Sequence, residues 1–177
     1  MDLLQRYHDA AFSYPDVGLT HPDTEEFRTG VVPPGYRRLR HRRLIGRGES
    51  LERAAGTLLT WRAHAACGLR PVASAPRAAE GVTVVSRMGL GPLRIAAPCR
   101  VVWALEEEDR AGFGYGTLSG HPESGEEGFL LERDSGGRVW FTVHAYSRPG
   151  RWYTRIAGPA PVLLQHAFAR LYARALR

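Results

Sequence analysis

Lysine is absent from this 177-residue chain, so all 24 of its cations are arginine. That reads as codon bias more than as chemistry. Cysteine is nearly absent too. Cys67 and Cys99 stand alone, with neither metal-ligand nor redox spacing, and are expected to be free thiols packed as small hydrophobes. No apolar run approaches the ~18 residues that a membrane span requires. The opening Met1-Asp2-Leu3-Leu4-Gln5-Arg6 lacks the apolar core of a signal peptide, so a soluble, cytoplasmic protein is expected. Catalytic signatures are missing as well. There is no H-E-x-x-H, no G-x-S-x-G around Ser147, and no P-C-x-x-C to follow an H-x-E. Gly46-x-Gly48 is too short for a dinucleotide or phosphate loop. Neither a metal nor a cofactor is expected.

The net charge is +6, and it is local. Residues 36–47, YRRLRHRRLIGR, hold six arginines and no acid, while the remainder of the chain is balanced. Six arginines could meet nucleic-acid phosphates. The simpler reading is a solvated edge strand whose charges block aggregation.

The length suits one domain over 1–177. A strand is expected over 36–45. A helix over 50–67 follows, with Ser50 as N-cap and Gly68 beyond its end. After a Pro/Ala-rich loop the period changes to two. Strands are expected at 81–88, 93–96, 100–107, 113–118, 127–133 and 139–146, the last two joined by the Asp134-Ser135-Gly136-Gly137 turn. A helix from Pro159 to Arg177 closes the chain, with Leu164, Phe168, Leu171, Tyr172 and Ala175 on one stripe. A meander followed by a long amphipathic helix predicts an α+β fold in which a curved antiparallel sheet wraps the helix and leaves a cavity.

The most unusual stretch is GFGYGTLSGHPESGEEGF, residues 112–129. In a strand, Gly112, Gly114 and Gly116 share one face, and Phe113, Tyr115 and Thr117 share the other. Three glycines in register predict a close approach to the backbone, with packing by the C-terminal helix as the simplest cause. His121, Glu123, Glu126 and Glu127 are expected in or beside the connecting loop. Glu126 and Glu127 point to opposite faces if extended, so one of them is expected in solvent. Arg148 is expected to pair with one or the other.

These motifs together resemble an uncharacterised family, DUF1990, over nearly the whole chain. The resemblance rests on Phe12-Ser13-Tyr14, Val17-Gly18 and Thr20, on Pro34-Gly35-Tyr36, and on Ile45-Gly46-x-Gly48. It continues through Ala54 to Trp61, the GFGYGTL run, and Gly120-His121-Pro122-Glu123-x-Gly125-Glu126-Glu127-x-Phe129. It ends with Tyr146-Ser147-Arg148-Pro149 and Gly158-Pro159. The arginine density over 37–43 is heavier than the family leads one to expect. The family looks like a distant START-like, or helix-grip (SRPBCC), relative. That implies a sheet wrapped around a C-terminal helix with an apolar cavity, and it supplies no catalytic residues.

Three functions compete. The first is binding of a small hydrophobic molecule, supported by aromatic residues at strand positions: Trp103, Phe113, Tyr115, Phe129, Trp140, Phe141 and Tyr146. Its candidate ligand-binding residues are Tyr115, Thr117, His121, Glu126, Tyr146 and Arg148. The second is a cyclase- or hydrolase-like enzyme with His121 as general base beside Glu123 or Glu126. The third is nucleic-acid contact through 36–47.

Overall fold

The computed structural model describes residues 3–88, 95–151 and 160–177. Strands β1 (Arg37–Arg47), β2 (Val72–Ala73), β3 (Thr83–Met88), β4 (Ile95–Glu106), β5 (Arg110–Thr117), β6 (Glu123–Arg133) and β7 (Arg138–Pro149) form one antiparallel sheet in the order β1-β7-β6-β5-β4-β3-β2. A 3-10 turn (Gln5–Tyr7) and helices α1 (Glu25–Thr29), α2 (Ser50–Leu59), α3 (Arg62–Ala66) and α4 (Ala160–Ala175) complete the described elements. Five consecutive strands, β3 to β7, make the meander, and β1 closes onto its far edge beside β7.

Three departures from the expected elements matter. The helix expected over 50–67 is broken at Trp61, whose φ of 64° is left-handed. The break turns α3 so that Ala63 and His64 are fully buried. The segments expected at 93–96 and 100–107 belong to one strand, β4, which runs through Pro98 from Ile95; residues 93 and 94 lie outside the described residues. Likewise β6 begins at Glu123, so Glu123 and Glu126 lie in a strand rather than a loop.

The two sheet faces are covered differently. The face carrying Phe113, Phe129, Phe141 and Val143 packs against Leu58, Trp61, His64 and Tyr172 of the helices and makes the main core. The opposite face is covered by the N-terminal segment. Arg100 of β4 holds that segment by donating to the carbonyls of Tyr7, His8 and Ala10.

The glycines of β5 face this second side. A Cβ on Gly114 would lie 2.1 Å from Trp103 Nε1, and one on Gly116 would lie 1.9 Å from the Tyr14 hydroxyl. The close approach expected from sequence is real, but the C-terminal helix is not its cause. Bulky side chains of β4 and the N-terminal segment lie flat on the bare strand.

The arginines of β1 sit on an edge strand and are largely exposed. Two of them cover aromatic rings: Arg42 lies 4.4 Å from the Trp140 ring centroid and Arg40 lies 5.8 Å from that of Phe27. Among the described residues no helix is long and apolar enough to cross a membrane.

Candidate functional site

The helix-facing side of the sheet is filled unevenly. Along β5 its residues run Phe113, Tyr115, Thr117. Along β6 they run Leu131, Phe129, Glu127, Gly125, and along β7 Phe141, Val143, Ala145, Ser147. On β4 the series is Val101, Cys99, Ala97. Each strand starts with large side chains under α2 and α3 and ends with small ones. Close packing is therefore reached at one end only. At the other end the sheet and α4 border a cavity of about 380 Å³ that is open on one side. Leu69, Val84, Ile95, Ala97, Ala145, Leu164 and Phe168 supply most of its apolar wall.

Polar groups enter the cavity at two places. In the middle, Tyr115 and Glu127 stand opposite each other on β5 and β6. The Tyr115 hydroxyl donates to Glu127 Oε2 at 3.1 Å, and Tyr172 of α4 is an electrostatic neighbour of both. Burial pushes the Glu127 carboxyl up to about 7, only partly offset by the Tyr115 bond. Burial likewise holds the Tyr115 phenol well above its ordinary value.

The second polar group lies where β5, β6 and β7 end. His121, Glu123, Ser147 and Gln165 meet there. Gln165 Nε2 donates to the Ser147 hydroxyl at 3.0 Å. His121 Nδ1 lies 2.9 Å from the Glu123 N–H and accepts from it in the tautomer that keeps the ring proton on Nε2. Burial pushes the His121 imidazole down to about 4, opposed by the Glu123 carbonyl 2.9 Å from Nδ1, so the ring is neutral near pH 7. Burial raises the Glu123 carboxyl, with Arg37 and the Ser147 hydroxyl pulling the other way, and its Oε1 has no partner among the described residues.

The residues singled out from sequence therefore divide. Tyr115, Thr117, His121 and Glu123 lie on the cavity, and Glu126 borders it while its carboxylate turns to the N-terminal segment. Thr117 has a structural duty there. Its hydroxyl accepts from the Gly125 N–H at 2.9 Å and bonds the Ser13 hydroxyl at 2.7 Å, closing the ladder where β5 and β6 part.

Glu126, Tyr146 and Arg148 present their side chains to the opposite face, because they alternate with Glu127, Ala145 and Ser147. Glu126 is 2% exposed and is surrounded by donors from the N-terminal segment. It accepts from the Tyr14 hydroxyl at 2.7 Å, Gly18 N–H at 2.7 Å, Thr20 N–H at 2.9 Å and the Thr20 hydroxyl. Tyr146 donates to the Asp16 carbonyl and stands 3.4 Å from Glu126.

Arg148 lies 4.7 Å from the Tyr36 ring centroid, and among the described residues it pairs with neither glutamate. Glu126 is buried, and Glu127 is only half-buried on the cavity. Of the strand aromatics thought to line a pocket, only Tyr115 does so. Trp103 and Tyr146 face the N-terminal segment, and Phe113, Phe129 and Phe141 fill the packed end. Sequence reasoning missed Glu127 as a cavity residue. The available signal was its parity with Phe129 on one side and Gly125 on the other.

Residues 13–175 match the model of the domain of unknown function DUF1990. The chain belongs to the DUF1990 family. It is 42% identical over 158 residues to a UPF0548 protein of Deinococcus radiodurans, covering 83% of this chain and 80% of that one. Solved structures share the fold of this DUF1990 chain at low identity. A hypothetical protein of Helicobacter pylori superposes with a TM-score of 0.59 at 8% identity, covering 80% of this chain and 84% of its own. Norcoclaurine synthase of Thalictrum, solved as a point mutant in complex with a transition-state analogue, superposes with a TM-score of 0.51 at 8% identity, covering 81% and 98%. The fold is the START-like helix grip.

Proposed function

We propose that this DUF1990 protein binds a small, largely apolar molecule in the cavity between the sheet and α4. The observation that carries the reading is the cavity itself. Its volume of about 380 Å³ suits a small organic ligand, and its wall is apolar apart from two convergent polar groups. The synthase that shares the fold, solved with a transition-state analogue, is a precedent for a helix grip holding a small molecule. The free thiols Cys67 and Cys99 suit a reducing cytoplasm.

Native mass spectrometry of gently purified protein, followed by denaturation and extraction, tests this. A bound organic compound in the wild type, absent from Ala145→Phe, is the expected result. The reading fails if the chain carries no ligand and takes up no apolar dye that Ala145→Phe excludes.

A second reading is acid–base chemistry on the bound molecule, favoured by a specific observation. A carboxyl held near neutrality beside a phenol is a competent proton donor and acceptor. Glu127 carries that role better than His121. The imidazole is held by the Glu123 backbone rather than by a carboxylate, and it is a weak base.

A further inference from the structure

Building on the cavity-binding reading, we infer that the ligand is an organic amine, an apolar or aromatic body whose protonated nitrogen rests against the Glu127 carboxylate beside the Tyr115 hydroxyl. The argument begins with charge. The chain has 24 arginines, yet among the described residues none lines the cavity. The ionisable side chains facing it are acidic, phenolic or neutral: Glu127, Glu123, Tyr115, Tyr172, Cys99 and His121. Among the described lining residues a carboxylate-bearing ligand would meet no cation and two carboxyls.

Glu127 is also left incomplete. A buried carboxylate needs several donors or a cation. The preceding residue shows that this fold can supply them, since five donor groups stand within hydrogen-bonding distance of Glu126. Glu127 receives one, from Tyr115 at 3.1 Å, among the described residues. A neutral apolar ligand would displace cavity water and leave the carboxyl poorer still. An ammonium group would supply both the missing charge and the missing donors. The apolar wall of Leu164, Phe168, Ala97 and Val84 would take the rest of the molecule.

The test uses three probes with one indole body: tryptamine, tryptophol and indoleacetate. Each is titrated calorimetrically into the full-length protein at about pH 8, where an alkylamine is still protonated and a carboxyl of ordinary or moderately raised pKa is ionised. Wild type should bind tryptamine at least about tenfold more tightly than tryptophol, with indoleacetate weakest. In Glu127→Gln the amine advantage should fall to within about twofold while tryptophol binding is kept. If tryptophol or indoleacetate binds wild type as tightly as tryptamine, the amine assignment is wrong and the cavity reading stands. If the amine preference survives in Glu127→Gln, the assignment to Glu127 is wrong. If none of the three binds, the amine assignment falls, and dye uptake compared between wild type and Ala145→Phe decides the cavity reading separately. The wild-type ranking alone decides should the variant not fold.

Discussion

Glu126 and Glu127 are neighbours in one strand, and the sheet sends them to different fates. Glu126 turns toward the N-terminal segment, where Tyr14, Gly18 and Thr20 close around it and Trp103 donates to the Thr20 hydroxyl at 2.9 Å. Its donors come from a segment with little regular structure, so the carboxylate is the post to which that segment is tied. Glu127 turns toward α4, into a space left by small neighbours, with Tyr115 as its one donor among the described residues and Tyr172 nearby. One carboxyl is spent on holding the molecule together. The other faces the cavity with one protein donor among the described residues.

Truncation should separate the two most strongly. Glu126→Ala leaves the Tyr14 hydroxyl and two backbone N–H groups without an acceptor and should cost about 3–5 kcal/mol in urea denaturation. Glu127→Ala should cost no more than about 1 kcal/mol, because little is orphaned. Equal losses would break the comparison.

The next effect is pH-dependent. Glu127 is raised in the folded protein from the ordinary 4.5 to about 7, so the folded state binds its proton more tightly than the unfolded state does. Its contribution is fully present below about 4.5 and is lost as pH rises through about 7. Relative to Glu127→Gln, wild type should therefore lose about 3 kcal/mol of stability between about pH 4 and pH 8. The buried histidines act with the opposite sign. Burial lowers His64 to about 3 and His121 and His144 to about 4, so their contribution is lost as pH falls from about 6.5. Both proteins carry them, so they cancel in the difference between the two denaturation curves.

A smaller loss tests the face that Glu126 serves. Gly114→Ala pushes a methyl into Trp103 and Thr20 and should cost about 1–3 kcal/mol by thermal or urea unfolding, with ligand binding kept. The smallest expected effect is Thr117→Val at the cavity rim. It removes the hydroxyl that accepts from Gly125 and should cost about 1 kcal/mol.

The fold was largely legible because alternation, turn residues and the stripe on α4 all agree with one topology. The break at Trp61 was not, since nothing local marks a tryptophan for a left-handed backbone. The site was legible in part. Parity shows that Tyr115 and Thr117 share a face, and that Glu126 and Glu127 do not. It does not show which glutamate shares a face with Tyr115. That depends on the pairing of Tyr115 with Glu127 across two strands, a non-local fact. Glu126, Tyr146 and Arg148 stood out in sequence because they are polar residues in a strongly patterned run. The same pattern serves the attachment of residues 14–20, which carries no periodicity of its own.

The most direct test of the contrast is a carbon-detected NMR titration of the Glu127 side-chain carboxyl in ligand-free protein, assigned with Glu127→Gln. A midpoint near 7 is the predicted result, the mark of a carboxyl set in an apolar cavity with one phenolic donor. A midpoint in the ordinary carboxylate range of about 4.3 would contradict the account, because it would mean that Glu127 is as well solvated as a surface residue.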